Sequence, residues 1–566
     1  MTFINQPISA PPPFTQYLNS EWVNQTLSSL SLDEKIAQCI HVASWSNRGE
    51  SHTTEILNLI TDYGIGGVIF FQGDPVSQAK MTNRFQAAAK VPMMISIDGE
   101  WGLAMRLDKT VQFPYQIAMG AIEDIQLIYE MGAEMGRHCR RLGIHVNYAP
   151  TVDINLHPDN PVIGFRSFGS FPDEVSQRAY AYMKGMQDQG VLAVAKHFPG
   201  HGDTNQDSHF TLPTLNKSKQ SLDKVELVPF KKLINWGVGG VMTGHLRVPE
   251  LDPNLNHGAT LSKAIAEDLL QKEMGFQGMV FTDALDMKGV TEFYSPAEIN
   301  TLAFLAGNDA LLFCTDVKGS IRGIRKAIDR GNISKKEIER RCRKTLAAKQ
   351  WMGLNQLRPI DLNHLEEDLN TPEAHSLNVQ LAQASITLYK GKPFTDSHQE
   401  KTATLAVHAV KDPAKANDPL SHHGFQRLEE MNAESRAITL FQEELSGHLY
   451  TDHFSIGSHP SEAEIEDIAR QLAEYKHIIV SLHDMQIKAV HGFGITAEMI
   501  SLINRLGKIT ESTLVIFGSP YALRKFSTQS FDRIVLAYQE SEFTQKAAGR
   551  AITGLESFPG KLPVSL

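Results

Sequence analysis

The chain has 566 residues, room for two or three domains of roughly 100 to 200 residues each. Its 42% hydrophobic and 21% charged residues exclude a disordered or fibrous chain. The 54 Lys plus Arg against 64 Asp plus Glu leave a net charge of -10, without the clustered cations that phosphates demand, so nucleic acid is not expected as a partner.

The four cysteines, Cys39, Cys139, Cys314 and Cys342, are far apart, form no C-x-x-C pair and are expected to be buried thiols rather than a disulfide framework. No apolar run reaches the length of a membrane span. The first basic residue is Lys35, so the opening does not read as a signal peptide. As written the chain is expected in the cytoplasm, or in the periplasm if a leader was trimmed from it. Phosphate-loop, H-E-x-x-H and G-x-S-x-G motifs are missing, and with them the usual nucleotide, zinc and serine-hydrolase readings.

Taken in order, residues 1–20 form an arm that the Ala10-Pro-Pro-Pro-Phe14 stretch keeps out of a helix, and a first helix is expected over 21–30. Ser31 with Glu34, Ser295 with Glu298 and Ser334 with Glu337 have the spacing of capping boxes and mark helix starts. Between helices lie short runs apolar on both faces: 37–43, 64–71, 91–98, 143–154, 191–198, 238–246, 278–285 and 309–314. Such runs suit parallel strands covered by helices, and eight of them alternating with helices predict an α/β chain with a (β/α)8 TIM-type barrel over 21–353. The run 37–43 fits the end of the first capped helix equally well. A linker over 354–375, with two prolines, leads to an α/β sandwich domain over 376–566, with strands expected at 403–410, 477–483, 512–517 and 533–539 and helices at 461–475 and 496–506.

Ionisable residues fall at the C-terminal ends of the barrel runs: Asp98, Asp153, Lys196 and His197, His245, and Asp283. Barrel active sites are built at that rim. The densest stretch, Lys196-His-Phe-Pro-Gly-His-Gly-Asp-Thr-Asn-Gln-Asp-Ser-His209, packs one lysine, three imidazoles and two carboxylates into a loop after a strand. Two chemistries fit it. His201, Asp203, Asp207 and His209 suit a transition metal, or Asp207 orients His209 as a general acid and base. Asp283, ending Gly278-Met-Val-Phe-Thr-Asp283, suits a nucleophile, a metal ligand or a helix cap, and Asp286 is the better cap for a following helix. Asp98 stands beside Trp101, either a stacking platform for a polyhydroxylated ligand or a packed side chain. Arg166, in Asn160-Pro-Val-Ile-Gly-Phe-Arg-Ser-Phe-Gly169, suits a ligand clamp or an inter-loop salt bridge.

Together, K-H-F-P-G-H-G-D-T-x-x-D-S-H, the later F-T-D strand end and N-P-V-I-x-x-R-S-F-G resemble the β-N-acetylglucosaminidases of glycoside hydrolase family 3 over about residues 30 to 350. The closing Phe558-Pro-Gly-Lys-Leu-Pro-Val564 is similar to the end of the second domain in two-domain members. The resemblance implies Asp283 as nucleophile, His209 as acid/base and Asp207 as the carboxylate orienting it. It implies Asp98, Arg166, Lys196 and His197 on the hydroxyls of the terminal sugar, a supporting role for His245, a carbohydrate substrate, and no metal or other cofactor. It leaves the oligomeric state open. The family's sugar-binding loop more often reads D-Q-E-G-G-R, where this chain has Asp98-Gly-Glu-Trp-Gly-Leu103, a departure on the leaving-group side. The expected function is retaining exo-hydrolysis of terminal β-N-acetylglucosamine from peptidoglycan fragments or chito-oligosaccharides. The rivals are a family 3 β-glucosidase, an N-acetylglucosaminide phosphorylase, a metal-dependent hydrolase using His201 to His209, and a non-catalytic sugar-binding protein.

Overall fold

The computed structural model describes residues 10–206, 211–254, 257–393, 401–410 and 438–566. The chain divides into two compact units: up to Gln112 with Tyr129–Ile154 and Val175–Thr371, and Phe113–Ile128 with Asn155–Glu174 and Pro372–Leu566. Two stretches that precede residue 354, 113–128 and 155–174, are thus counted with the second unit.

The first unit is a curled parallel sheet of β1 (His41–Ser44), β2 (Gly67–Phe70), β3 (Met94–Ile97), β4 (Val146–Asn147), β5 (Leu192–Phe198), β6 (Gly240–Thr243) and β7 (Met279–Thr282), hydrogen-bonded in that order. The expected eighth strand is not regular. Instead Ala310 bridges Phe281 and Leu311 bridges Ile40, so 310–312 joins β7 to the chain entering β1. Extended pairing stops because Phe313 has a φ of +60°, and it starts late because the Asp309 carboxylate accepts from the Val280 N–H at 2.9 Å and from Lys344 at 2.8 Å. The run 37–43 is shared: Leu32–Ala37 is helical and the strand begins at His41.

Helix starts follow the sequence closely. Ser31 and Glu34 form the full capping box, and the Glu298 carboxylate accepts from the Ser295 N–H at 3.0 Å. Ser334 caps Glu337 N, but the Glu337 carboxylate turns to Arg340 and Arg341 instead of reaching back. Asp286 is not a cap: Met287 holds that position before Lys288–Thr291. The helix Lys335–Trp351 looks basic all round, yet Arg341, Lys344 and Lys349 are buried. Arg341 donates to the Phe304 and Asn308 carbonyls, Lys344 to Asp309 and the Gly278 carbonyl, and Lys349 to Gln38 at 2.6 Å. Buried cations need such partners, so this helix locks onto the sheet by donors as well as by apolar packing.

The second unit holds a mixed sheet in the order β10 (Thr451–Ile456), β9 (Thr402–His408), β11 (His477–His483), β12 (Glu511–Ile516), β13 (Arg533–Leu536) and β8 (Thr387–Lys390), parallel except for β13 with β8. The four expected strands are β9, β11, β12 and β13. The two edge strands are not visible as apolar runs, since β8 and β10 mix polar with apolar residues and are partly exposed over most of their length. All four cysteines are buried free thiols. Among the described residues no helix is long and apolar enough to cross a membrane.

Candidate active site

Consecutive strands β3 to β7 bring the candidate residues to one rim of the first unit: Asp98 follows β3, Asp153 lies beyond β4, Lys196 and His197 end β5, His245 follows β6 and Asp283 follows β7. Asp98 sits among opposite charges. Its Oδ1 receives Lys196 Nζ at 2.9 Å and its Oδ2 receives Arg106 Nη2 at 2.6 Å, while Lys196 also reaches Glu100 Oε1 at 2.7 Å. Burial by itself would raise the Asp98 pKa, but the two cations outweigh it and hold the carboxyl well below the usual range, so Asp98 is a permanent acceptor for hydroxyl donors. The preceding loop is fixed by Asn147, which accepts from Gly99 N at 2.9 Å and donates to Gly99 O at 3.1 Å. A Cβ at position 99 would lie 2.3 Å from the terminal methyl of Met135, which would have to swing aside. Trp101 is 2% exposed: it is packed inside and is not a stacking platform.

Asp153 is the hub of the next cluster. It accepts from the His197 and His201 backbone N–H groups at 3.2 and 2.6 Å and from His197 Nδ1 at 2.8 Å. Burial raises its pKa, and the facing imidazoles more than offset that, leaving it below the ordinary value. An ionised Asp153 fixes the His197 tautomer and ring plane, as carboxylate partners of imidazoles do. The peptide between Lys196 and His197 is cis, as is that before Pro199. His245 donates from Nε2 to the Ala284 carbonyl at 2.8 Å and so braces the loop next to Asp283, in keeping with a supporting role. The Asp283 N–H donates to Thr243 O at 3.0 Å, and Ala284 N–H to Asp283 Oδ1 at 2.8 Å, which anchors the carboxylate at the top of β7.

Asp207 and His209 lie outside the described residues. Of the metal alternative's remaining members, Asp203 pairs with Lys217 at 2.6 Å and His201 Nδ1 bonds Thr204 Oγ1 at 2.8 Å. Among the described residues no group of three or more His, Cys, Asp or Glu is arranged to hold a metal. Arg166 belongs to the second unit, on the turn Gly164–Arg166, where it donates to the Val162 carbonyl at 3.4 Å and Asn160 Oδ1 accepts from the Val162 and Ile163 N–H groups. The sequence pointed to Arg106 only as an arginine near Asp98 and Trp101 suited to a polyhydroxylated ligand, and gave no role to Glu100, Asn147 and, beyond its strand-end place, Asp153. These last three are polar residues within or just after an apolar run, the signal that was available.

Acidic, basic and imidazole side chains gathered on the strand-end rim of a parallel α/β unit suit an enzyme active site. The family model described as the glycosyl hydrolase family 3 N terminal domain matches residues 31–348, and the chain belongs to that family. It is 34% identical over 381 residues to a protein named Beta-hexosaminidase A from Pseudoalteromonas piscicida, covering 63% of this chain and 61% of that one. It therefore spans about three fifths of that relative's length. It is 32% identical over 326 residues to Beta-hexosaminidase LpqI of Mycobacterium tuberculosis, covering 55% of this chain and 81% of that one. The solved family 3 β-N-acetylglucosaminidase from Paenibacillus sp. superposes with a TM-score of 0.77 at 29% identity, covering 95% of this chain and 99% of that chain. Beta-glucoside phosphorylase BglX shares the fold, with a TM-score of 0.79 at 22% identity over 99% of this chain and 98% of its own.

Proposed function

We propose that the protein is a retaining exo-β-N-acetylglucosaminidase that releases terminal, non-reducing β-linked N-acetylglucosamine from peptidoglycan fragments or chito-oligosaccharides. The observation that carries this reading is the rim itself: Asp98, an ionised acceptor with two buried cations, and an Asp153-oriented His197 stand on the same set of strand ends as Asp283. Family membership and relatives named β-hexosaminidases support the amino-sugar assignment.

Asp98 and Lys196 hold sugar hydroxyls as acceptor and donor. The Asp283 carboxylate attacks the anomeric carbon and forms a glycosyl ester while His209, oriented by Asp207, gives its proton to the departing oxygen. His209 then takes a proton from water, the hydroxide attacks the same carbon, and Asp283 leaves with the β configuration restored. Neither step calls for a metal.

Time-resolved NMR on an aryl β-N-acetylglucosaminide tests the mechanism: β-N-acetylglucosamine is expected first, and the α anomer as first product would overturn it. His209→Ala should slow substrates with poor leaving groups far more than activated aryl ones, and equal losses would remove His209 from the acid role. Added phosphate should leave the product unchanged, whereas a sugar 1-phosphate would turn the assignment to a phosphorylase.

A further inference from the structure

Asp98 and Lys196 do not stand alone. Arg106, Asp98, Lys196 and Glu100 form one chain of alternating charge, joined at 2.6, 2.9 and 2.7 Å. Their side chains are 4, 15, 2 and 0% exposed, so Asp98 is the most accessible member and Glu100 the deepest. Two cations and two carboxylates cancel, which is how four charges can be buried together, since an unpaired one would cost several kcal/mol. Glu100 has no exposed side-chain surface and cannot touch a sugar, and the guanidinium of Arg106 is spent between the Asp98 carboxylate and the Phe71 ring.

We propose that Glu100 and Arg106 are positioning residues for the terminal-sugar subsite, acting through Lys196 and Asp98 respectively; this rests on the glycosidase reading above. An ammonium has three protons. Two of Lys196's are directed at Asp98 and Glu100, and the third is the one it offers to a substrate hydroxyl. Without Glu100 the ammonium swings toward Asp98 and withdraws that proton. Arg106 does the corresponding work on the other oxygen of Asp98, setting the plane of the carboxylate. Its own position comes from an aromatic cluster: the guanidinium lies 4.4 Å over the Phe71 ring, Phe71 meets Phe313 at 5.0 Å and Trp45 at 5.6 Å. These three rings follow β2, the bridging segment 310–312 and β1, so three strand ends converge on the orientation of one carboxylate. Lysine in place of Arg106 keeps the charge and loses the planar stack.

The test uses the full chain and a set of aryl β-N-acetylglucosaminides, one complete and three lacking the 3-, 4- or 6-hydroxyl. For the complete sugar, Glu100→Gln and Arg106→Lys should lower kcat/KM by about 10- to 100-fold, mostly through KM. For at least one deoxy sugar the same variants should lose much less, because the hydroxyl their partner holds is already gone. Glu100→Asp, which keeps the charge, should recover part of the loss. Losses equal on all four substrates, or no loss in a folded variant, would overturn the proposal. If neither charge variant folds, Phe71→Leu, which removes the stack and no charge, carries the same comparison. A wild type inactive on every N-acetylglucosaminide would sink the glycosidase reading; an active wild type with additive losses would sink this inference alone.

Discussion

Both parallel sheets of this protein end their strands in charge, and they use it differently. In the second unit the chain winds from β9 out to β10 and then back past it to β11, a reversal of direction at whose strand ends ligands commonly bind in doubly wound folds. There His408 Nδ1 meets Asp484 at 2.7 Å, His483 Nδ1 meets Glu540 at 2.8 Å, and His483 Nε2 meets Ser481 at 2.9 Å. His483 has both ring nitrogens engaged and is fully buried, while its partner Glu540 and the Asp484 that meets His408 are each about a quarter exposed. In the first unit the charges are strung into a chain whose most accessible member, Asp98, is only 15% exposed, and a buried carboxylate, Asp153, organises two consecutive turns of the β5 loop. A strand-end charge by itself therefore says little. What distinguishes the first unit is a buried cation, Lys196, shared between two carboxylates, where the second unit sets single carboxylates against imidazoles.

The sharpest way to break this contrast is Asp283→Ala, which should lower kcat/KM by about 10^4-fold or more with the fold intact, as loss of a covalent nucleophile does. Retained turnover measured on purified folded variant would move the chemistry away from the barrel rim. Asp153→Asn should cost about 10- to 100-fold in kcat/KM, because His197 loses its orienting anion, and the melting temperature should fall as well. By contrast Glu540→Gln in the second unit should lower stability by about 1–3 kcal/mol in chemical denaturation and leave kcat/KM within about twofold. A large activity loss there would show that the second sheet's pair is not merely structural.

Acid stability sharpens the comparison further. Burial pushes the His41 and His145 pKa values down to about 3, and neither His41 nitrogen has a hydrogen-bond partner among the described residues. Unfolded, both histidines titrate near 6.5, so the unfolded state binds more protons between the two values. Stability is thus whole above about pH 6.5 and falls as the pH drops through that window. His41→Leu should flatten the slope by up to about 1.4 kcal/mol per pH unit and leave stability at neutral pH equal or higher. An unchanged slope would place the acid sensitivity elsewhere. Asp98 and Asp153, whose folded values are lowered, add stability that is present above the ordinary carboxylate range near 4 and is lost only below it. The smallest effect is expected from a chelator, which should leave turnover unchanged.

Much of the first unit was legible because its strands are buried on both faces, and such strands read as nearly continuous apolar runs of four to eight residues. Capping boxes at Ser31 and Ser295 were legible for an equally local reason: the box is closed within four residues. What escaped was set by partners distant in sequence. The 309–314 run is as apolar as any strand but is held to bridges by Phe313 and Asp309. Edge strands β8 and β10 carry half-polar sequences because one side faces water. Trp101, beside Asp98 in sequence, turned inward, while Arg106, eight residues away, turned onto it.

The amino-acid sequence alone determined the alternation of helix and strand, the strand ends on which Asp98, Lys196, His197 and Asp283 stand, and the family motifs around them, because each is written in neighbouring residues. Only the tertiary structure decided which charges neutralise one another, that Glu100 and Arg106 bracket the Asp98–Lys196 pair and that Asp153 commands His197. Apart from Arg106 and Asp98, eight residues apart, those choices join positions 44 to 98 residues apart, and a buried charge selects its partner by distance in space, which no local pattern encodes.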